Sequence, residues 1–64
     1  MPFVTVALFA GRSREQKEKL AKAITEAFVA HAGNREEDVQ IVFQDVDKGD
    51  WAKAGVLYDT PEPR

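Results

Sequence analysis

From Phe3 to Phe9 the chain sets Val4, Val6 and Leu8 on one side and Phe3, Thr5, Ala7 and Phe9 on the other. This β-branched and aromatic run of strand length predicts a β-strand. Both of its faces are largely apolar, and a strand apolar on both sides has to be covered on both. Gly11 breaks the run, and Ser13 with Gln16 then forms an S-x-x-Q capping box that predicts a helix from Arg14. Leu20, Ile24, Ala27, Phe28 and His31 recur there at three- and four-residue spacing with Ala23 beside them, while Lys17, Glu18, Lys19, Lys22 and Glu26 fill the other side. Gly33 and Asn34, which tolerate a left-handed conformation, end the helix after about five turns. Asn34 is also placed to cap a short turn through Arg35, Glu36 and Glu37.

A second period-two run follows, in which Val39, Ile41 and Phe43 alternate with Gln40, Val42 and Gln44 as far as Val46. Strand, long helix and strand in this order predict a β-α-β unit with its two strands parallel. One helix covers one sheet face only, so a second subunit is expected on the other. Gly49 and Gly55 break the remaining segment into a loop around Trp51 and a short strand or hairpin from Val56 to Tyr58. The tail, residues 59–64, has no apolar anchor and is expected to be mobile. The fold class is therefore α+β, with a single domain over residues 1–64.

Composition sharpens the expectation of self-association. Ordering 64 residues at ~1.5 kcal/mol each costs on the order of 100 kcal/mol, and a domain of this size buries little surface to offset it. There is no cysteine, hence no disulfide or zinc-thiolate staple. Nine basic and eleven acidic residues are interleaved and give a net charge of −2, which argues against nucleic acid as a partner. No apolar run reaches the ~20 residues of a membrane helix, and no basic segment precedes the first strand. A cytoplasmic chain without a membrane partner is expected.

Most catalytic templates are absent: no cysteine nucleophile, no HExxH, no glycine-rich phosphate loop and no GxSxG. Asp45, Asp47, Asp50 and Asp59 lack the spacing of a calcium loop, and His31 lies on the helix stripe, where packing or the helix dipole explains it. No metal or cofactor is expected. Three residues stand apart. Pro2 follows the initiator methionine, and trimming of Met1 leaves a secondary amine at the start of a strand. An α-amino group titrates near ~8 and moves lower beside apolar groups or a cation, into the range useful for general acid-base catalysis. Pro2 is otherwise a residue that stiffens an edge strand. Arg12, at a capped helix start, suits bidentate binding of a carboxylate or is a solvated surface arginine. Trp51 is an apolar wall of a site, a piece of subunit interface, or both.

Taken together, Met1-Pro2, the apolar first strand, the G-R-S-x-E-Q-K block from Gly11 to Lys17, the amphipathic helix, the second strand and the loop with Lys48-Gly49 and Trp51 resemble the 4-oxalocrotonate tautomerase family of small oligomeric isomerases. The resemblance runs over most of the chain and rests on the combination. It implies a β-α-β subunit with a short C-terminal hairpin, two subunits forming a four-stranded sheet, and assembly as a hexamer built from three dimers. It further implies a cofactor-independent enzyme of the kind used in breakdown of aromatic compounds, interconverting enol and keto forms of a 2-hydroxydienoate or 2-oxo acid. Pro2 would be the general base and acid, Arg12 the holder of a carboxylate or 2-oxo group, and Trp51 the apolar wall that keeps the amine neutral.

The chain departs from the family on the second strand, where the founding members place an arginine and this sequence has Gln40. Glutamine can donate a hydrogen bond to a developing oxyanion but brings no charge, and one good donor is worth ~2.7–4 kcal/mol. A monocarboxylate enol acid, aryl or alkyl, then suits the site better than a dicarboxylate. Gln40 is otherwise a solvent-facing strand residue. Two alternatives stay open beside the tautomerase: a hydratase, dehalogenase or decarboxylase of the same superfamily, with Asp45 or Asp50 activating water, and a non-catalytic oligomeric binding module.

Overall fold

The computed structural model describes residues 2–61. Its first strand, β1 (Phe3–Phe9), lies parallel to β2 (Gln40–Val46), and the pairs run in unbroken register from Phe3 opposite Gln40 to Phe9 opposite Val46. Helix α1 (Arg14–Ala32) makes the crossover between them. Its start carries the reciprocal cap: the Gln16 amide donates to Ser13 Oγ over 3.1 Å and the Ser13 amide to Gln16 Oε1 over 2.9 Å, which satisfies two otherwise unpaired donors. Its end is Gly33, at φ 73°, a left-handed conformation that glycine takes without a Cβ penalty.

The alternation of both strands decides which residues meet the helix. Val4, Val6 and Leu8 share a side with Ile41, Phe43 and Asp45, and Asp45 reaches α1 through a 2.6 Å ion pair with Lys17 Nζ. The helical stripe that turns inward is centred on Lys17, Ala21, Ile24, Thr25 and Phe28, all half-buried, whereas Ala23, Ala27 and His31 of the expected stripe are exposed. Thr25 joins the covered side because its hydroxyl donates to the Ala21 carbonyl of its own helix over 2.8 Å, leaving no polar group unpaired.

Asn34 does not cap the next turn. That 3₁₀ turn, Glu36–Asp38, begins after Arg35 and has no side-chain cap; Arg35 Nε instead approaches Asp38 Oδ2 at 3.4 Å, so an ion pair across the turn takes the place of the expected amide cap. A second 3₁₀ turn, Lys48–Asp50, leads to Trp51 and to a two-residue-per-arm hairpin, β3 (Ala52–Lys53) and β4 (Val56–Leu57). Ala54 at φ 54° and Gly55 at φ 80° form its turn, the positive-φ pair that matches the twist of a tight hairpin. Of the segment 59–64, Thr60 is tied by its amide to the Leu57 carbonyl over 3.1 Å. Residues 62–64, the rest of the tail expected to be mobile, and Met1, expected to be removed, lie outside the described residues.

No described residue is fully buried. The radius of gyration is 15.3 Å, against about 11 Å for a compact domain of this length, and the molecule extends 46 × 24 × 15 Å. The sheet face away from α1 is open except at Phe9, with Phe3 at 64% exposure and Val42 at 40%. The core of this fold is half a core.

Candidate active site

Pro2 precedes β1 directly, and its carbonyl accepts the Gln40 amide over 3.0 Å, extending the parallel ladder by one bond. The register then sets Phe3 opposite Gln40. Gln40 shares the uncovered face with Val42 and Gln44, since Ile41, Phe43 and Asp45 turn toward the helix. Two of the four residues singled out in the sequence are thus neighbours at one end of the sheet.

Arg12 is at the other end. Seven strand residues separate the two loops, a length of about 20 Å at ~3.3 Å per residue. Arg12 lines a small cleft with Leu8, Gln16, Lys17 and Leu20, on the helix side of the sheet. It is exposed and stands just before the N-cap Ser13, so its guanidinium charge adds to the positive end of the helix dipole.

Trp51 is near that same end but on the opposite face. Its ring packs on Phe9, centroid to centroid 4.6 Å with the planes at 51°, and Tyr58 lies on Phe9 at 5.1 Å and 46°. Both are the tilted geometries that aromatic quadrupoles favour. Lys48 Nζ stands 5.9 Å from the Phe9 centroid. Backbone contacts tie the group together: the Tyr58 amide donates to the Trp51 carbonyl over 2.9 Å, and the Trp51 amide to the Lys48 carbonyl over 3.3 Å. All three rings are half-buried.

One chain therefore brings Pro2 to Gln40 but brings neither to Arg12 nor to Trp51. Phe9 and Tyr58 were not among the candidates from sequence. The signal for Phe9 was its parity, which places it on the uncovered face; Tyr58 had none, because its contact depends on how the hairpin folds back. Among the described residues no group of three or more His, Cys, Asp or Glu gathers in metal-ligating range, and no helix is long and apolar enough to cross a membrane.

The model of the family described as tautomerase enzyme matches residues 2–60. The chain belongs to the tautomerase family. Among curated relatives, a probable tautomerase of Ralstonia nicotianae is 40% identical over 58 residues, 91% of this chain and 89% of that protein. A probable tautomerase of Streptococcus pneumoniae is 42% identical over 57 residues, covering 89% and 95%. Among solved structures, YwhB, a homologue of 4-oxalocrotonate tautomerase, superposes with a TM-score of 0.90 at 34% identity, covering 95% of this chain and all of that one. A heterohexamer 4-oxalocrotonate tautomerase from Chloroflexus aurantiacus gives 0.88 at 27% identity, covering 97% and 100%. The β-α-β subunit with its C-terminal hairpin is the fold of this tautomerase family, and a tautomerase-type activity accords with it.

Proposed function

We propose that this tautomerase-family chain is a cofactor-independent isomerase that interconverts the enol and keto forms of a 2-hydroxydienoate or 2-oxo acid, with the amine of Pro2, freed by loss of Met1, as the proton shuttle. The amine takes the proton of the enol hydroxyl and returns one to carbon, so that the carbonyl forms as the carbon-carbon double bond moves. The observation that carries this reading is the backbone bond from the Gln40 N–H to the Pro2 carbonyl, which sets residue 40 beside the strand start where the base must act. Gln40 donates to the oxygen that gains charge, Arg12 holds the substrate carboxylate, and Trp51 supplies an apolar wall that favours the neutral amine. With one guanidinium and one neutral donor, the site suits a monocarboxylate.

Because Pro2 and Arg12 stand a strand length apart in one chain, such a site draws on more than one copy. The open sheet face and the absence of a fully buried residue among the described residues support that assembly. The arrangement proposed is a dimer with a four-stranded sheet, repeated as a hexamer, in line with the heterohexamer among its structural neighbours. The cytoplasm is the compartment this reading expects.

Intact mass and turnover of an enol acid test it together. Protein lacking Met1 should isomerise an aryl 2-hydroxyacrylate in preference to the dicarboxylate 2-hydroxymuconate, and Pro2→Ala should lower kcat by at least the ~10²–10⁴-fold that general acid-base catalysis contributes. Equal turnover by wild type and Pro2→Ala would remove Pro2 from the mechanism.

A further inference from the structure

Trp51 carries the proposed wall, but its own placement is decided by residues outside the site as read from sequence. Phe9, the last residue of β1, is the hub, with Trp51 on it at 4.6 Å, Tyr58 at 5.1 Å and the Lys48 ammonium at 5.9 Å. A second, independent set of contacts registers the chain around Tyr58 on the chain around Trp51. The Tyr58 amide donates to the Trp51 carbonyl. One residue further, the Asp59 carboxylate lies so close over Gly49 that a Cβ there would stand 2.9 Å from Oδ2. The turn that ends in the Thr60 to Leu57 hydrogen bond is thereby seated on the 3₁₀ turn leading to Trp51.

Two rings on one hub constrain each other. A Trp ring resting on Phe9 alone has a range of tilts of similar energy, whereas a further ring on the same hub, from a residue whose backbone is bonded to residue 51, narrows that range. We propose that Tyr58 is a positioning residue of this tautomerase-family chain: through Phe9 and the backbone bond between residues 51 and 58 it holds the Trp51 indole in one orientation, and so sets how well the site takes a planar apolar substituent on the substrate. The selectivity half rests on the reading of Trp51 as a wall of the tautomerase site. The positioning half does not.

Trp51 is the sole tryptophan of the chain, so its fluorescence reports the placement without reference to activity. Tyr58→Ala, Tyr58→Leu and Tyr58→Phe are compared in the full-length oligomer, by Trp51 emission and acrylamide quenching, and by kcat and KM for an aryl and an alkyl 2-hydroxyacrylate. Tyr58→Ala and Tyr58→Leu should red-shift the emission, raise quenching, and raise KM for the aryl substrate about three- to tenfold with little change in kcat or in the alkyl rate. Tyr58→Phe, which keeps the ring, should behave as wild type. Emission unmoved by Tyr58→Leu overturns the positioning role, and equal loss for both substrates overturns the selectivity role. Should Pro2→Ala leave turnover intact, the tautomerase reading fails while the fluorescence result still decides what Tyr58 does to Trp51.

Discussion

The amide of Gln40 donates to the carbonyl of Pro2 over 3.0 Å, so the first residue of β2 is fastened to the residue that bears the proposed base. An arginine at position 40 would inherit that anchorage. Gln40→Arg should therefore raise kcat/KM for a dicarboxylate such as 2-hydroxymuconate, on the order of a hundredfold, by restoring a charged donor to the developing oxyanion. The added cation disfavours the protonated amine and lowers its pKa. The acidic limb of the kcat/KM profile, where the protonated base is inactive, should then move to lower pH. A limb that stays in place or moves upward would mean that residue 40 does not face the amine.

Arg12 and Pro2 lie at opposite ends of β1, and this separation makes a prediction about mixtures. Pro2→Ala and Arg12→Ala should each be poorly active, the second through a loss of about ten- to a hundredfold in substrate affinity, as expected for a charge-assisted pair. Refolded together in equal amounts, they should regain activity up to about a quarter of wild type, because random assembly gives that share of sites an intact residue from each copy. No recovery on mixing would mean that a single chain furnishes both.

Asp45 is engaged with Lys17 at 2.6 Å on the helix side of the sheet, away from the face that carries Gln40 and Phe9. It should serve packing rather than the activation of water. Asp45→Asn should leave kcat for tautomerisation within about twofold, since the carboxylate is engaged with Lys17 and the proposed base Pro2 lies at the other end of the sheet. A double-mutant cycle with Lys17→Met should give a coupling of about 0.5–1 kcal/mol in denaturant unfolding, shrinking with added salt, as suits a pair still partly open to water. Loss of kcat in Asp45→Asn with stability intact would instead favour hydration or dehalogenation chemistry.

Val42 stands at the middle of β2 on the uncovered face, 40% exposed. Val42→Asp places a charge where a partner subunit is expected, and an unpaired buried carboxylate is too costly to retain. Light scattering should show smaller species, and turnover should fall with them. An oligomer of unchanged mass would move the subunit contact off this face.

The elements were readable because each is encoded locally. Ser13, Gln16 and Gly33 mark the ends of α1 by the hydrogen bonds and the backbone conformation they permit, while a β-branched and aromatic run marks β1 and a period-two pattern marks β2. Pairing Gln40 with Pro2 was implicit in a parallel register that begins at the strand starts. The helix stripe was harder to place. Leu20 looks like core by hydropathy yet stays 40% exposed, while Thr25 looks polar and turns inward because its hydroxyl is satisfied within the helix. The aromatic group on Phe9 is legible only after the hairpin folds back, since Tyr58 and Phe9 are joined by tertiary contact and by no local pattern. The cap at Asn34 failed because Arg35 and Asp38 offered the turn an ion pair instead.

A chain spread over 46 × 24 × 15 Å, with no described residue fully buried, draws stability from whatever covers its open face. Where the last layer of the core is another copy, the folded fraction follows mass action, and the melting temperature climbs with protein concentration. At low concentration such a protein leaves more open chains, and a rise in concentration shifts them toward assembled protein. In such an assembly the number of copies bears on the folded fraction with no effector molecule and no change in any single subunit.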